Sequence, residues 1–265
     1  MGTFTNTSPS TTRLGIPGAA HLYLRLLKRC LVRDLFPDQR YDSGDVEHPV
    51  AYSRELRQEG KDWPTEAETM VGMKRLDNLQ ECCLTTLVDS VAGDFVETGV
   101  WRGGCGILMR AILDACGDDQ RRVWLFDSFE GLPRPDFQSF PKDRDDSLWT
   151  FSAYLGVSLS QVKDNFRRYE LLDERTHFVK GWFRDTIPFA DVDAISVLRL
   201  DGDMYESTWI VLNHLYPKLQ AGGFVIIDDY GAIPGCKAAV DDFRERYAIR
   251  SPTVAVDWTG IYWRV

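Results

Sequence analysis

A chain of 265 residues, 44% hydrophobic and 27% charged, can build one sizeable core, so one domain with helical and lid elaborations is the economical count. The formal net charge of −9 excludes nucleic acid as an obligate partner, because no basic stripe is available to meet phosphates. No apolar run is long enough to span a bilayer and Met1–Ser10 lacks the basic-then-apolar pattern of an export signal, so no membrane partner and a cytoplasmic location are expected.

Residues 1–18 are rich in Thr, Ser, Pro and Gly and are expected to form a disordered tail. Residues 19–36 repeat Leu22, Leu24, Leu26, Leu27, Cys30, Leu31, Leu35 and Phe36 at helical spacing. That face requires burial on the main domain or against another subunit, and a homodimer or higher homo-oligomer is expected. Residues 37–63, polar and broken by Pro37, Pro49 and Gly60, read as a long loop of lid character. A second helix is expected to open at Thr65 or Glu66 and to run to about Gly93. Residues 19–92 are thus a helical elaboration with a lid loop, and 93–265 the cofactor-binding core.

In that core, strands are predicted over 94–99, 122–127 and 176–180, then in two runs ending at Asp201 and Asp228. Helices are predicted to about Cys116, over 160–170, weakly over 184–189, and over 206–220 and 235–246. Residues 128–158 form an irregular insertion suited to closing over a site, and 253–265 read as a hairpin around Trp258-Thr259. Strand–helix alternation ending in a hairpin predicts an α/β, doubly wound, mostly parallel, Rossmann-like sheet of seven strands with one reversed edge strand. Six scattered cysteines without zinc-type spacing read as small buried hydrophobes, and four histidines form no cluster. His177 at a strand start reads as structural; His48, in the loop before the core, is left open to substrate contact.

Two apolar runs, Ala194–Leu200 and Gly223–Ile227, end abruptly in carboxylates: Asp201 and Asp203, then Asp228 and Asp229. In open α/β sheets the ligand crevice lies just outside the carboxyl ends of the strands. Clustered aspartates repel, so a hard divalent cation with oxygen ligands is their natural partner. Either motif alone reads equally well as a helix cap or a turn.

Between the first core strand and its helix stands Glu97-Thr-Gly-Val-Trp-Arg-Gly-Gly104, a place where backbone N–H groups meet a ligand. Asp127 ends the second strand, where an acid accepts from ribose hydroxyls. Val100 or Trp101 fills the position of the second glycine of a dinucleotide loop, which disfavours a pyrophosphate and permits a ribose- and adenine-bearing cofactor without phosphate. S-adenosylmethionine fits, with Glu97 facing its sulfonium or amino end.

With these pieces placed, the chain resembles the macrocin O-methyltransferase family of metal-dependent antibiotic-sugar methyltransferases. The resemblance is carried by Asp62-Trp-Pro-Thr-Glu-Ala-Glu-Thr-Met70, Arg75-Leu-Asp-Asn-Leu-Gln80, Glu97–Gly104, Phe126-Asp-Ser-Phe-Glu-Gly-Leu-Pro133, Leu200-Asp-Gly-Asp-Met-Tyr-Glu-Ser-Thr208 and Ile227-Asp-Asp-Tyr230. It implies a class I methyltransferase fold, Asp201, Asp228 and Asp229 as ligands of one Mg2+, and Glu97, Thr98, Gly99, Val100, Trp101, Arg102, Asp127 and Ser128 as contacts to S-adenosylmethionine. It further implies Gly181 and Trp182 as an adenine-proximal turn and Thr69 and Met70 at the methionine end. The implied activity is methyl transfer to a hydroxyl of a deoxysugar on a glycosylated small molecule.

Such a transfer needs a base for the hydroxyl proton, and Asp203 is the candidate, with Asp201 competing and a cap ahead of Glu206 the equal alternative. Trp63, Trp101 and Tyr230 are candidates for an apolar acceptor wall. Three rivals remain: a phenol or catechol methyltransferase, a magnesium-dependent phosphate-ester hydrolase, and a non-catalytic cofactor-binding partner. The first expects a lysine where Asp203-Met204 stand, the second a cationic clamp near the rim, and the third a gap in the acid set.

Overall fold

The computed structural model describes residues 18–265 except Ser43, so the expected tail at 1–17 lies outside the described residues. The first segment comprises α1 (Gly18–Leu31), β1 (Arg40–Asp42), β2 (Asp45–Val50), α2 (Arg54–Glu59), β3 (Trp63–Pro64) and α3 (Gly72–Val88). Leu24, Leu27 and Leu31 of α1 are buried in the core, while Leu22, Tyr23 and Leu26 stay exposed.

The segment 37–63 is not a loop, as expected, but a three-stranded sheet of order β2-β1-β3 with α2 attached. Its strands escape hydrophobic patterning because β2, Asp-Val-Glu-His-Pro-Val, is a polar edge strand, a setting in which a proline such as Pro49 is tolerated. What fixes this unit is Arg57, fully buried, whose guanidinium donates to Asp38 at 2.6 Å, to Asp62 at 2.9 Å and to the Val32 carbonyl at 3.0 Å. The second helix begins at Gly72 rather than at Thr65 or Glu66. Asp38 accepts from the N–H groups of Glu66 and Ala67, and Glu68 bonds Leu31, which holds the intervening segment out of a helix.

The core continues with β4 (Asp94–Thr98), α4 (Gly104–Cys116), β5 (Val123–Asp127), α5 (Ser152–Leu155), α6 (Leu159–Arg168), β6 (Thr176–Lys180), α7 (Phe183–Thr186), β7 (Ile195–Leu200), α8 (Tyr205–Leu215), β8 (Leu219–Ile227), α9 (Pro234–Arg246), β9 (Val254–Ala255) and β10 (Ile261–Arg264). The seven-stranded order is β6-β5-β4-β7-β8-β10-β9. Strands β6 to β8 run parallel, and β10 is antiparallel to both β8 and β9. The reversed strand is therefore not the edge, as expected; the hairpin folds inward and β9 closes the sheet. Helix α8 stops at Leu215, short of the expected Gln220, because Pro217 follows and Leu219 enters β8.

Strand alternation divides the core into two layers. Phe95, Leu125, Val197 and Ile226 face α1, α3, α4 and α6, whereas Val96, Phe126, Leu198 and Ile227 face α8 and α9. Burial on both faces explains the near-continuous apolar runs of β5 and β7. No helix among the described residues is long and apolar enough to cross a membrane.

Candidate active site

The tips of β4, β5, β7 and β8 open into one cavity of about 500 Å3. Successive tips are laced together: Asp201 N–H donates to the Thr98 carbonyl at 2.8 Å and Asp228 N–H to the Leu200 carbonyl at 2.9 Å. This register brings Asp201, Asp228 and Asp229 together, each offering an oxygen, all within 4.8 Å of one another. Asp203 lines the same cavity, its N–H donating to Asp229 Oδ2 at 3.3 Å. Its φ of +59° is left-handed, a conformation uncommon outside glycine and concentrated at functional sites.

Two guanidiniums that local motif reading missed stand beneath these acids. Arg199, cross-strand neighbour of Glu97 and only 2% exposed, reaches Glu97 at 2.8 Å, Asp201 at 2.9 Å and Asp228. Arg75 from α3 binds the other oxygen of Asp228 and also Asp257 at 3.0 Å. Burial pushes the Glu97 carboxyl up to about 8, so it is largely neutral at pH 7. Burial and then the neighbouring aspartates push Asp201, Asp203 and Asp229 above the usual carboxylate range. Four aspartates thus face two arginines, and among the described residues no cation pairs with Asp203 or Asp229. At least two acid charges remain uncompensated, which is what a divalent cation with oxygen ligands balances. Arg75 and Arg199 are consumed by carboxylates and form no anion clamp.

The other end of the cavity is built by the turn after β4. Gly99 has φ +87°, and a Cβ there would run into the Asp201 carbonyl oxygen, so the two turns lie directly against each other. Asp127 holds the loop to β5, its Oδ2 accepting from Val100 N–H at 2.7 Å and its Oδ1 from Phe129 N–H at 2.6 Å. Carboxylate oxygens retain lone pairs beyond these bonds. Gly104 lets Glu68 approach, its N–H donating to the Glu68 carbonyl at 2.9 Å, and this close approach delivers Thr69 and Met70 to the cavity wall.

Of the residues singled out from the sequence, Thr69, Met70, Glu97, Gly99, Val100, Trp101, Asp127, Ser128, Trp182 and all four aspartates line the cavity. Thr98, Arg102 and Gly181 do not. Thr98 points to the opposite face from Glu97 by strand alternation; Arg102 stacks 4.2 Å from Trp101 and donates to the Pro64 and Ala67 carbonyls; Gly181 N–H bonds Asp127. Trp63 lines the cavity, but Tyr230 turns its hydroxyl to Asp241. His177 stacks on Trp124 at 4.4 Å away from the rim, and His48 pairs with Asp45 at the surface. Lys61, Arg184, Glu206 and Trp258 also line the cavity and were not foreseen.

A roof is formed where the N-terminal sheet meets the 128–158 insertion. Trp63 stacks on Tyr154 with 2° between planes and centroids 5.1 Å apart, Tyr154 Oη donates to the Pro64 carbonyl at 2.8 Å, and Trp101 Nε1 donates to the Tyr154 carbonyl at 3.4 Å.

Residues 20–265 match the family model for macrocin-O-methyltransferase (TylF). The 8-demethyl-8-(2,3-dimethoxy-alpha-L-rhamnosyl)-tetracenomycin-C 4'-O-methyltransferase of Streptomyces olivaceus is 51% identical over 247 residues, 93% of each chain. The mycinamicin III 3''-O-methyltransferase of Micromonospora griseorubida is 45% identical over 259 residues, 97% of this chain and 98% of that one. The solved structure of the O-methyltransferase NovP superimposes with a TM-score of 0.87 at 45% identity, covering 92% of this chain and 98% of that one. With a carboxylate-rimmed cavity beside a glycine turn on a seven-stranded sheet, the chain is an enzyme that belongs to the macrocin-O-methyltransferase family.

Proposed function

We propose that the enzyme moves a methyl group from S-adenosylmethionine to a hydroxyl of a deoxysugar on an antibiotic-type natural product, with Mg2+ at Asp201, Asp228 and Asp229. The observation that carries this reading is the convergence of those three acids within 4.8 Å in the cavity that Gly99 and Asp127 also line. The sugar acceptor is supported by the relatives, one of which is named for a rhamnosyl tetracenomycin.

S-adenosylmethionine supplies an electrophilic methyl group, and a bound magnesium ion supplies Lewis acidity that orients an acceptor hydroxyl. Asp201, Asp228 and Asp229 hold the cation, and Arg75 and Arg199 fix Asp228 and Asp201 so that few rotamers need freezing on binding. Glu97, Thr69 and Met70 face the methionine end, Asp127 the ribose, and Trp182 the adenine. Asp203, its carboxyl held above the ordinary range by burial and by Asp201, takes the acceptor proton. The Trp63–Tyr154 roof excludes water and holds the reactants in line. Met204 follows Asp203 and is buried, so no lysine stands at the place a catechol-type enzyme needs one. The reading includes a cytoplasmic enzyme that self-associates through the exposed Leu22, Tyr23 and Leu26 of α1.

The test is a mass-spectrometric assay of deoxysugar-bearing natural products with labelled methyl donor, run with Mg2+ and with EDTA. Label must appear on the sugar and vanish on chelation until Mg2+ is restored. Label on a phenol, or transfer that survives exhaustive chelation, contradicts the acceptor or the metal respectively.

A further inference from the structure

One further cavity acid stands apart from the aspartate cluster. Glu206, the second residue of α8, lines the cavity with a side chain only 7% exposed. One oxygen, Oε1, lies 3.5 Å from Arg184 Nη1; the other, Oε2, is buried and has no hydrogen-bond partner. The carboxylate is not needed as a helix cap, because Asp143 already accepts from Tyr205 N–H at 2.6 Å and from Glu206 N–H at 3.0 Å. The charges that act on it most strongly are those of Arg184, Asp143, Asp136 and Asp185, not those of the metal-site aspartates.

An orphaned buried acceptor is costly unless a ligand completes it. The ligand must bring an N–H or O–H, since a carboxylate only accepts. Position favours one donor. Helix α8 packs on α7, so Glu206 shares its part of the cavity with Trp182, Phe183 and Arg184, which follow β6. In the sheet order β6 lies beyond β5, on the side of Asp127 away from β7 and β8. A ribose at Asp127 therefore directs its base toward this aromatic end, while the acceptor hydroxyl belongs at the aspartates.

We infer that Glu206 Oε2 accepts a hydrogen bond from the exocyclic amino group of the methyl donor's adenine, and that Arg184 holds Glu206 in place for it. This rests on the proposed S-adenosylmethionine site. A base bearing a carbonyl oxygen where adenine has its amino group sets two acceptors face to face. Wild-type enzyme then prefers the amino-bearing ligand by about tenfold or more. Glu206→Gln presents an amide that can donate as well as accept, so the preference collapses.

The experiment is calorimetric titration of S-adenosylhomocysteine and its deaminated, hypoxanthine-bearing analogue into wild type, E206Q and R184A, with thermal unfolding as the fold control. The expected result is a preference of about tenfold in wild type, reduced in R184A, where Glu206 loses its support, and falling to about threefold or less in E206Q. A ratio unchanged in E206Q, or absent in wild type, overturns the inference. If E206Q does not fold, Glu206→Ala must show the same loss of preference. If wild type binds neither ligand, the methyl-donor reading itself falls.

Discussion

Arg199→Met removes the guanidinium at the centre of the acid cluster while keeping a long, unbranched side chain. Arg199 serves Glu97, Asp201 and Asp228 from a position 2% exposed, so its loss leaves buried carboxylates facing one another. Deleting one partner of a buried ionic network costs about 3–5 kcal/mol, because the remaining charges stay desolvated. At about 2–4 °C per kcal/mol for a chain of this size, Tm should drop by about 6–20 °C near pH 7.5. The pH dependence follows from the raised pKa values of Asp201 and Glu97, which rise further without the guanidinium that lowers both. An acid whose folded pKa lies above its unfolded value carries no penalty below the unfolded value, and a growing one as pH rises toward the folded value. The gap between wild type and R199M should therefore narrow as pH falls from 8 toward 5, read by scanning calorimetry. A variant that melts with wild type across that range refutes the idea that Arg199 balances the cluster.

Asp203→Asn should lower kcat by about 10²–10⁴-fold with S-adenosylhomocysteine affinity unchanged, measured by single-turnover kinetics and calorimetry; near-normal kcat transfers the base role to Asp201. Glu97→Gln keeps an oxygen for Arg199 but cannot ionise. With the wild-type carboxyl titrating near 8, E97Q should gain stability relative to wild type as pH rises between about 5 and 8, by up to about 1.4 kcal/mol per pH unit; a constant difference in urea unfolding places the titration elsewhere. Tyr154→Phe loses one hydrogen bond to Pro64 but keeps the stack on Trp63, so it should cost about 1 kcal/mol, whereas Tyr154→Ala should open 128–158 to limited proteolysis and raise KM. Equal behaviour of the two variants contradicts a stacked roof.

The acid rim was legible because its physics is local. A buried parallel strand must be apolar throughout and must then stop, so acids immediately after the runs of β7 and β8 announce themselves as Asp201, Asp228 and Asp229. Gly99 and Asp127 were legible for the same reason, as a turn and an acid at strand ends. Arg199 escaped notice although its signal was present: a lone guanidinium inside an apolar strand needs buried acids beside it. Arg75 carries no such mark, since an arginine in an amphipathic helix is ordinary until its partner 153 positions away is known. The small N-terminal sheet was invisible because Arg57 and two aspartates, rather than an alternating apolar face, hold it together. Thr98, Arg102 and Gly181 show the limit of reading a motif as a block, since neighbours on one turn face different ways.

The central claim is that an acid surplus at the tips of β7 and β8 binds one divalent cation. Equilibrium binding of Mn2+, followed by its paramagnetic resonance signal and competed with Mg2+, measures this directly. One site per chain is predicted in wild type, lost in Asp229→Asn and Asp201→Asn while S-adenosylhomocysteine still binds both variants. A wild type with no Mn2+ site, or an unchanged site in both variants, contradicts the account.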